Sequence, residues 1–472
     1  MPACASHWEA NMTVYDLVIV GAGPAGMGAA VAAREWNLSV LVLDEQPAPG
    51  GQIYRGIEQH TERHARLDPG SVKGRELATQ FRASGAEYRP SASAWFVAGD
   101  GEVAFSVDGC AHRVRARRLL LATGAMERPW PLPGWTLPGV MTAGAAQILM
   151  KTTGLVHRDP VFAGSGPLLY LVAMQYRRVG VPVRAVLDTT PFAHYVHAVP
   201  HLPAAMRTPA YLRRGLGLLW HLRRSGTPVF TGVRALRAHG RDTVEAVDFQ
   251  HRGQRRRLDG VTGLFLHQGV VPHIHAALAA GCERRWDART ACWHLVTDAY
   301  GRTSQPHVFV AGDAAAITGA ASAPARGRLA ALAIAHDLGT VGEDTFAATS
   351  RRLQRDLARD AAVRPFLDTL YRPADDCLVP TDDDTMICRC EEVRVRDVRR
   401  LIDSGNRDPN QVKSALRCGM GPCQGRLCAL TLANLMPDAA YSEAVPLRQR
   451  PPVVPVSLDE LAGLLDEPEA TR

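Results

Sequence analysis

The residues most able to do chemistry in this chain are cysteines. Ten occur in 472 residues, and five of them fall between positions 388 and 428. Cys388 and Cys390 stand in Met386-Ile-Cys-Arg-Cys-Glu-Glu392, and Cys418, Cys423 and Cys428 in Arg417-Cys-Gly-Met-Gly-Pro-Cys-Gln-Gly-Arg-Leu-Cys428. Disulfide usage would scatter them, whereas four thiolates on two tight loops are what an iron–sulfur cluster requires. The candidate metal ligands are Cys388, Cys390, Cys423 and Cys428, with Cys418 held in reserve. Soft thiolates suit zinc as well as iron–sulfur. Structural zinc commonly uses C-x2-C knuckles, so the C-x-C pair favours iron–sulfur over zinc or unliganded thiols. Gly419, Gly421 and Gly425 let backbone amides face the sulfurs, which would raise a cluster's potential.

A second kind of site lies near the N-terminus. Gly21, Gly23 and Gly26, in Gly21-Ala-Gly-Pro-Ala-Gly26, have the spacing of a pyrophosphate loop, with Pro24 and Ala25 completing it. The first glycine allows the tight turn, the second lets backbone approach phosphate, and the third lets helix pack close to strand. The helix N-terminus adds partial positive charge. Asp44 ends the next strand, about twenty residues on, where a carboxylate can grip a ribose hydroxyl. Glu45 follows it. Far along the chain, Gly312-Asp313 after an apolar strand has the form of the motif that holds the ribityl and phosphate of FAD. Ala122-Thr123-Gly124 is its usual companion. Together, in this order, they make FAD the expected dinucleotide. Gly50-Gly51-Gln52 is placed to lie beside the isoalloxazine, where absent side chains let the ring approach. A flavin and a one-electron cluster in one polypeptide predict an electron-transfer protein.

Gly164 and Gly166 open a second loop of the same kind, but Leu169 occupies the third glycine's place. A leucine there is expected to push the helix off the strand and narrow the cradle. Asp188 is still positioned for a ribose, so lost nicotinamide binding and a residual adenine nucleotide both stay open. No cysteine occurs between Cys4 and Cys110. The redox pair of disulfide reductases is therefore missing, and thiol exchange is not expected. His267 and His273 flank Gly269-Val-Val-Pro272, near the expected flavin edge, and are read as packing rather than catalytic residues. The basic, amphipathic stretch from Tyr211 to Arg224 suits a docking helix, a membrane-surface helix or an ordinary solvated one.

The elements that must position these residues form two strand–loop–helix units. Tyr15 to Val20, an alanine-rich helix from Met27 to about Trp36, and Ser39 to Leu43 make the first; a paralogous unit runs from Pro160 to Asp188. Arg118 to Leu121 and Val308 to Val310 add strands, and Phe265 to Pro272 reads as a strand leading back to the first domain. The proline-rich segment from Arg128 to Pro138 is a crossover, since proline cannot donate to a ladder. The expected fold class is α/β, with two Rossmann-like dinucleotide-binding domains, the NAD-like one inserted in the FAD domain, and a small helical C-terminal iron–sulfur domain. Residues 12–135 and 269–345 form the FAD domain, 136–268 the degenerate NAD-like domain, 346–380 a connector, 381–440 the cluster domain and 441–472 a tail that could pack on a partner.

Composition limits the alternatives. Hydrophobic residues make up 46% and charged residues 21%, an ordinary folded composition. The formal charge of +7 comes mainly from scattered arginines, without the basic, aromatic-interleaved face of a nucleic-acid binder. No apolar stretch of spanning length occurs, and the opening residues lack a secretory signal. Free cysteines at cluster spacing suit a cytoplasmic location, with peripheral association to the inner membrane open.

Leu43-Asp-Glu-Gln-Pro-Ala-Pro-Gly-Gly-Gln-Ile-Tyr-Arg55, the run from Pro133 to Gln147, Ala163-Gly-Ser-Gly-Pro-Leu-Leu169 and the cysteine module carry a resemblance. From about Tyr15 to Pro437 the chain resembles the FAD-containing alpha subunit of heteromeric amino-acid dehydrogenases. That group includes the A component of opine oxidase, the alpha component of D-hydroxyproline dehydrogenase and the B component of hydrogen cyanide synthase. The resemblance implies a beta subunit, similar to D-amino-acid oxidases, that oxidises the amino or imino acid on its own flavin. This chain would then pass electrons through FAD and a [2Fe-2S] cluster, in a domain that resembles bacterioferritin-associated ferredoxin, to a respiratory acceptor. A small ferredoxin-like gamma subunit often completes such complexes. In the small ferredoxin the last two ligands stand closer together than Cys423 and Cys428 do. Two further cofactor positions stay open: an adenine nucleotide (NAD or ATP) at the second Rossmann site and FMN at a subunit interface. No catalytic base or substrate-carboxylate clamp is evident in the chain, as expected of an electron carrier. The alternatives are a self-sufficient NAD(P)H-dependent reductase of a ferredoxin-like acceptor, and a zinc-bearing scaffold with a relic flavin.

Overall fold

The computed structural model describes residues 12–436 and 446–464. Val14–Val20 and Val40–Leu43, rich in valine and leucine, pair in parallel inside the first sheet. Its order is Glu87–Arg89, Val40–Leu43, Val14–Val20, Cys110–Leu121, Glu102–Val107, Ser93–Val97, with Val308–Val310 also pairing with Cys110–Leu121. The helices Pro24–Glu35 and Ala323–Asp337 pack against each other beside this sheet. Their small residues are required by the close approach. A Cβ at Gly28 would stand 2.6 Å from the Pro324 carbonyl oxygen, and one at Gly327 1.9 Å from that of Ala25.

The second sheet is wholly parallel, in the order Val229–Thr231, Ala185–Asp188, Val161–Ser165, Leu264–Gln268, Val140–Thr142. Phe162, Tyr176 and Phe265 meet edge to face in its core. The expected strand from Phe265 to Pro272 is in fact two. Leu264–Gln268 belongs to the second sheet, Gly269 turns at a φ of 82°, and Val270–Pro272 pairs with Ala125–Glu127 in the antiparallel crossover between the sheets. An antiparallel layer of Arg234–His239, Ala246–His251 and Gln254–Asp259 had no clear sequence signal, because its last strand is exposed and carries three consecutive arginines.

The connector forms three helices, Glu343–Ala361, Arg364–Leu370 and Asp375–Leu378, and the second packs on Phe192–Ala198 of the second domain. The cysteine module has its own small core, which includes Ile387, Val398, Val412 and Leu432. The described part of the tail packs on the chain itself: Leu447 enters the module core, and the Val453 N–H donates to the Trp95 carbonyl. Positions 437–445 and 465–472 of the expected module end and tail lie outside the described residues. Among the described residues, no helix is long and apolar enough to cross a membrane.

Candidate functional site

Gly21, at a φ of 107°, makes the first turn, where a Cβ would sit 2.5 Å from the Ala122 carbonyl oxygen. Gly23 caps the helix Pro24–Glu35, with Ala25 in its first turn. A Cβ at Gly26 would come within 1.8 Å of the Gly21 carbonyl oxygen, so only glycine fits the third position. Gly51 folds back onto Gly23, where a Cβ would stand 2.9 Å from the Gly23 Cα; Gln52 beside it is exposed. Asp44 is buried, and its carboxylate accepts from the N–H groups of Ala22 at 2.5 Å and Gln46 at 2.7 Å. Burial pushes its pKa up against those two hydrogen bonds. Each oxygen keeps a second lone pair for a ribose hydroxyl. The neighbouring Glu45 is exposed.

On the other side of the helix N-terminus, Gly312 takes a φ of 71°, and a Cβ there would press within 2.7 Å of Ala25. Asp313 accepts from the N–H groups of Thr318 and Gly319 at 2.9 and 3.1 Å. Thr318 Oγ1 and Arg326 Nε, beside this carboxylate, are buried without hydrogen-bond partners. Buried polar atoms left in this state mark a place where a polar group binds. Thr123 and Gly124 close the turn after Cys110–Leu121. The Thr123 hydroxyl donates to the His273 carbonyl at 2.7 Å, and the His273 N–H donates to that of Gly124 at 3.0 Å. The glycine cradle and the orphaned donors fit a dinucleotide. Nothing in the sequence singles out Lys151. It reaches across from the second domain, its Nζ donating to the Ile53 carbonyl at 2.8 Å and to Gln147 Oε1 at 3.0 Å.

The second loop keeps its turns. Gly164 and Gly166 have φ values of 133° and 117°. Leu169 is fully buried among Phe162, Tyr176 and Phe265, so it serves the hydrophobic core. Asp188, for which ribose binding is one of two open readings, has no exposed surface. It accepts from the Tyr170 hydroxyl at 2.6 Å and the Thr190 N–H at 2.8 Å, and the Tyr195 hydroxyl also bonds it. Tyr371 of the connector lies close by. A ribose would have to displace one of these partners. His267, buried like the adjoining strand, pairs through Nδ1 with Glu127 at 2.7 Å, whose other oxygen accepts from the Gly144 N–H. That bond ties the second sheet to the crossover.

In the cysteine module, the sulfurs of Cys388, Cys418 and Cys428 lie within 4.8 Å of one another, all buried. Hydrogen bonds from Cys418 and then Cys428 hold the Cys388 thiol far below its ordinary range. Cys390 and Cys423, both half-buried, form a second hydrogen-bonded pair. Of the four predicted ligands, Cys388 and Cys428 thus group with Cys418, while Cys390 and Cys423 stand as a separate pair. A Cβ at Gly421 would meet Cys390 Cβ at 2.2 Å, so this glycine lets the two cysteine loops touch. Five thiols at this spacing can supply the four thiolates of a [2Fe-2S] cluster.

The chain matches the pyridine nucleotide-disulphide oxidoreductase family over residues 15–337 and the BFD-like [2Fe-2S] binding domain over residues 386–437. It is 43% identical to the A component of opine oxidase from Rhizobium meliloti, over 95% of this chain and 88% of that protein. It is 31% identical to the HcnB component of hydrogen cyanide synthase from Pseudomonas aeruginosa, over 95% of this chain and 98% of the relative. The crystal structure of L-proline dehydrogenase from P. horikoshii shares the fold, with a TM-score of 0.68 at 20% identity, covering 96% of this chain and 81% of that one. With its cradle and its cysteines in place, the chain belongs to the family of FAD- and [2Fe-2S]-containing oxidoreductases that includes the A component of opine oxidase.

Proposed function

We propose that this chain is the electron-transferring subunit of a heteromeric amino-acid dehydrogenase of the opine or D-hydroxyproline type. Its electrons come from a beta subunit that oxidises the substrate and resembles D-amino-acid oxidases, and they leave for a respiratory acceptor. The observation that carries this reading is the sealed carboxylate of Asp188, wholly buried under Tyr170, Thr190 and Tyr195. With Leu169 packed into the core, it argues against NAD(P)H as the electron source. Bound FAD would couple two-electron to one-electron chemistry, and the cluster would carry single electrons. The chain's own residues bind and orient: the loop Gly21–Gly26 receives the pyrophosphate, Asp44 the ribose, and Gly312-Asp313 the ribityl end. Cys388, Cys390, Cys423 and Cys428 are the proposed cluster ligands. The half-buried pair Cys390 and Cys423 marks the edge from which electrons leave, toward a ferredoxin-like gamma subunit.

The test is anaerobic addition of NADH, then NADPH, to the purified chain while following the flavin absorbance. An unchanged oxidised spectrum is expected. Rapid bleaching would install the alternative, a self-sufficient NAD(P)H-dependent reductase, for which the retained turns at Gly164 and Gly166 speak. We also propose a peripheral position on the cytoplasmic face of the inner membrane. The helix Pro209–Arg224 exposes Leu216 and Trp220, with Arg224 stacked 5.4 Å from the Trp220 ring centre. Flotation with anionic vesicles tests it, and a chain that stays at the bottom of the gradient would rule it out.

A further inference from the structure

The loop between Cys423 and Cys428 meets the flavin domain through one residue from each side. Arg426 lies inside this loop, and its N–H donates to the Cys423 carbonyl at 3.0 Å. Its Nε donates to His273 Nε2 at 3.2 Å, and a terminal nitrogen donates to the Val453 carbonyl at 3.0 Å. Both acceptors are uncharged. Among the described residues, no carboxylate forms an ion pair with this guanidinium, although Glu45 lies within electrostatic reach. The charge is therefore only weakly compensated, and it lies within electrostatic reach of Cys423, one of the proposed ligands.

His273 is well placed to hold it. Its backbone is bonded on both sides to the turn Thr123-Gly124. Burial, and then the charge of Arg426, push its imidazole pKa down to about 4. The ring is thus neutral at physiological pH, with Nε2 as an acceptor. A protonated ring would instead place a second cation against the guanidinium. His275, 5.3 Å away ring to ring, is likewise held neutral by burial.

We propose that Arg426 sets the reduction potential of the [2Fe-2S] cluster, and that His273 is a positioning residue that fixes the guanidinium against the flavin turn. The inference rests on the cluster being held by the cysteines named above. One-electron reduction adds one negative charge to the cluster, so a fixed nearby cation favours the reduced form. Among single residues of this loop, Arg426 alone adds a permanent charge at the flavin-facing side.

The experiment is an EPR-monitored redox titration of the full chain, with dithionite as reductant. Iron and sulfide are measured first, because their absence would defeat the cluster reading rather than this one. Arg426→Gln should lower the midpoint potential, so that at the parent midpoint the ratio of reduced to oxidised cluster falls about tenfold. Arg426→Lys should keep most of the parent value, since it retains the charge. His273→Phe, which removes the acceptor and leaves the charge free to move, should give a smaller shift in the same direction. Parent-like midpoints in both the glutamine and phenylalanine variants would overturn the proposal. So would a lysine variant that falls as far as the glutamine one. If Arg426→Gln holds no iron, the lysine and phenylalanine variants decide.

Discussion

Replacing Leu169 by glycine would complete the glycine pattern of the second loop, and the expected outcome is a weaker domain without a nicotinamide site. Leu169 is fully buried in the same core cluster as Phe162, Tyr176 and Phe265. Truncating a core leucine to alanine costs about 2–5 kcal/mol through lost transfer energy and the residual cavity. A glycine in the first helical turn adds up to about 1 kcal/mol. Leu169→Gly should therefore destabilise the second domain by roughly 3–6 kcal/mol. The ribose carboxylate meanwhile stays capped, since Tyr170, Thr190 and Tyr195 are untouched. Far-UV circular dichroism during thermal unfolding gives the first quantity, and anaerobic stopped-flow mixing with NADH gives the second. A glycine variant as stable as its parent and bleached by NADH would refute both halves of the reasoning.

Three further outcomes follow from the geometry. Gly421→Ala should lose most of its iron while keeping flavin, because the added Cβ would stand 2.2 Å from Cys390 Cβ; iron and flavin assays on the same sample check it. Cys423→Ser should lose the cluster and Cys418→Ser should keep it, by EPR; the reverse pattern would put Cys418 in place of Cys423. Lys151 is buried, with a pKa lowered from 10.5 to about 8 by desolvation. The unfolded chain holds that proton more tightly, so stability should rise as pH climbs from about 8 toward 10.5. The buried charge costs about 3 kcal/mol below that window. Lys151→Met should flatten the rise in urea unfolding at pH 8 and pH 10, and a parent with no such rise would contradict the assignment.

What was legible in the sequence was what backbone geometry forces. Gly21, Gly23 and Gly26 announce a site because no side chain fits at the third position, and Leu169 announces a departure for the same reason. The clustering of five cysteines is equally visible, since proximity in sequence already confines them to one module. The seal over Asp188 was not legible. It needs Tyr170 and Tyr195, each ordinary in its own helix, and only tertiary packing brings them to one carboxylate. His267 with Glu127, and Arg426 with His273, are 140 and 153 positions apart. Each pairs residues with no shared pattern, so neither could be found before the fold was known.

The tail has a mechanical meaning. Leu447 plugs the cysteine module, where Gly419 and Gly425 leave room for its side chain, and six residues later Val453 bonds to the edge strand Ser93–Val97 while also receiving Arg426. Trp135 adds a second rivet, its indole N–H donating to the Met386 carbonyl at 2.7 Å. A carrier tethered by a flexible linker would have to swing between donor and acceptor, and solvent viscosity would slow it. A module strapped down at both ends has no such stroke. On the proposed function, an electron would cross a fixed gap in this chain, at a rate set by the separation of the two centres rather than by diffusion of a domain.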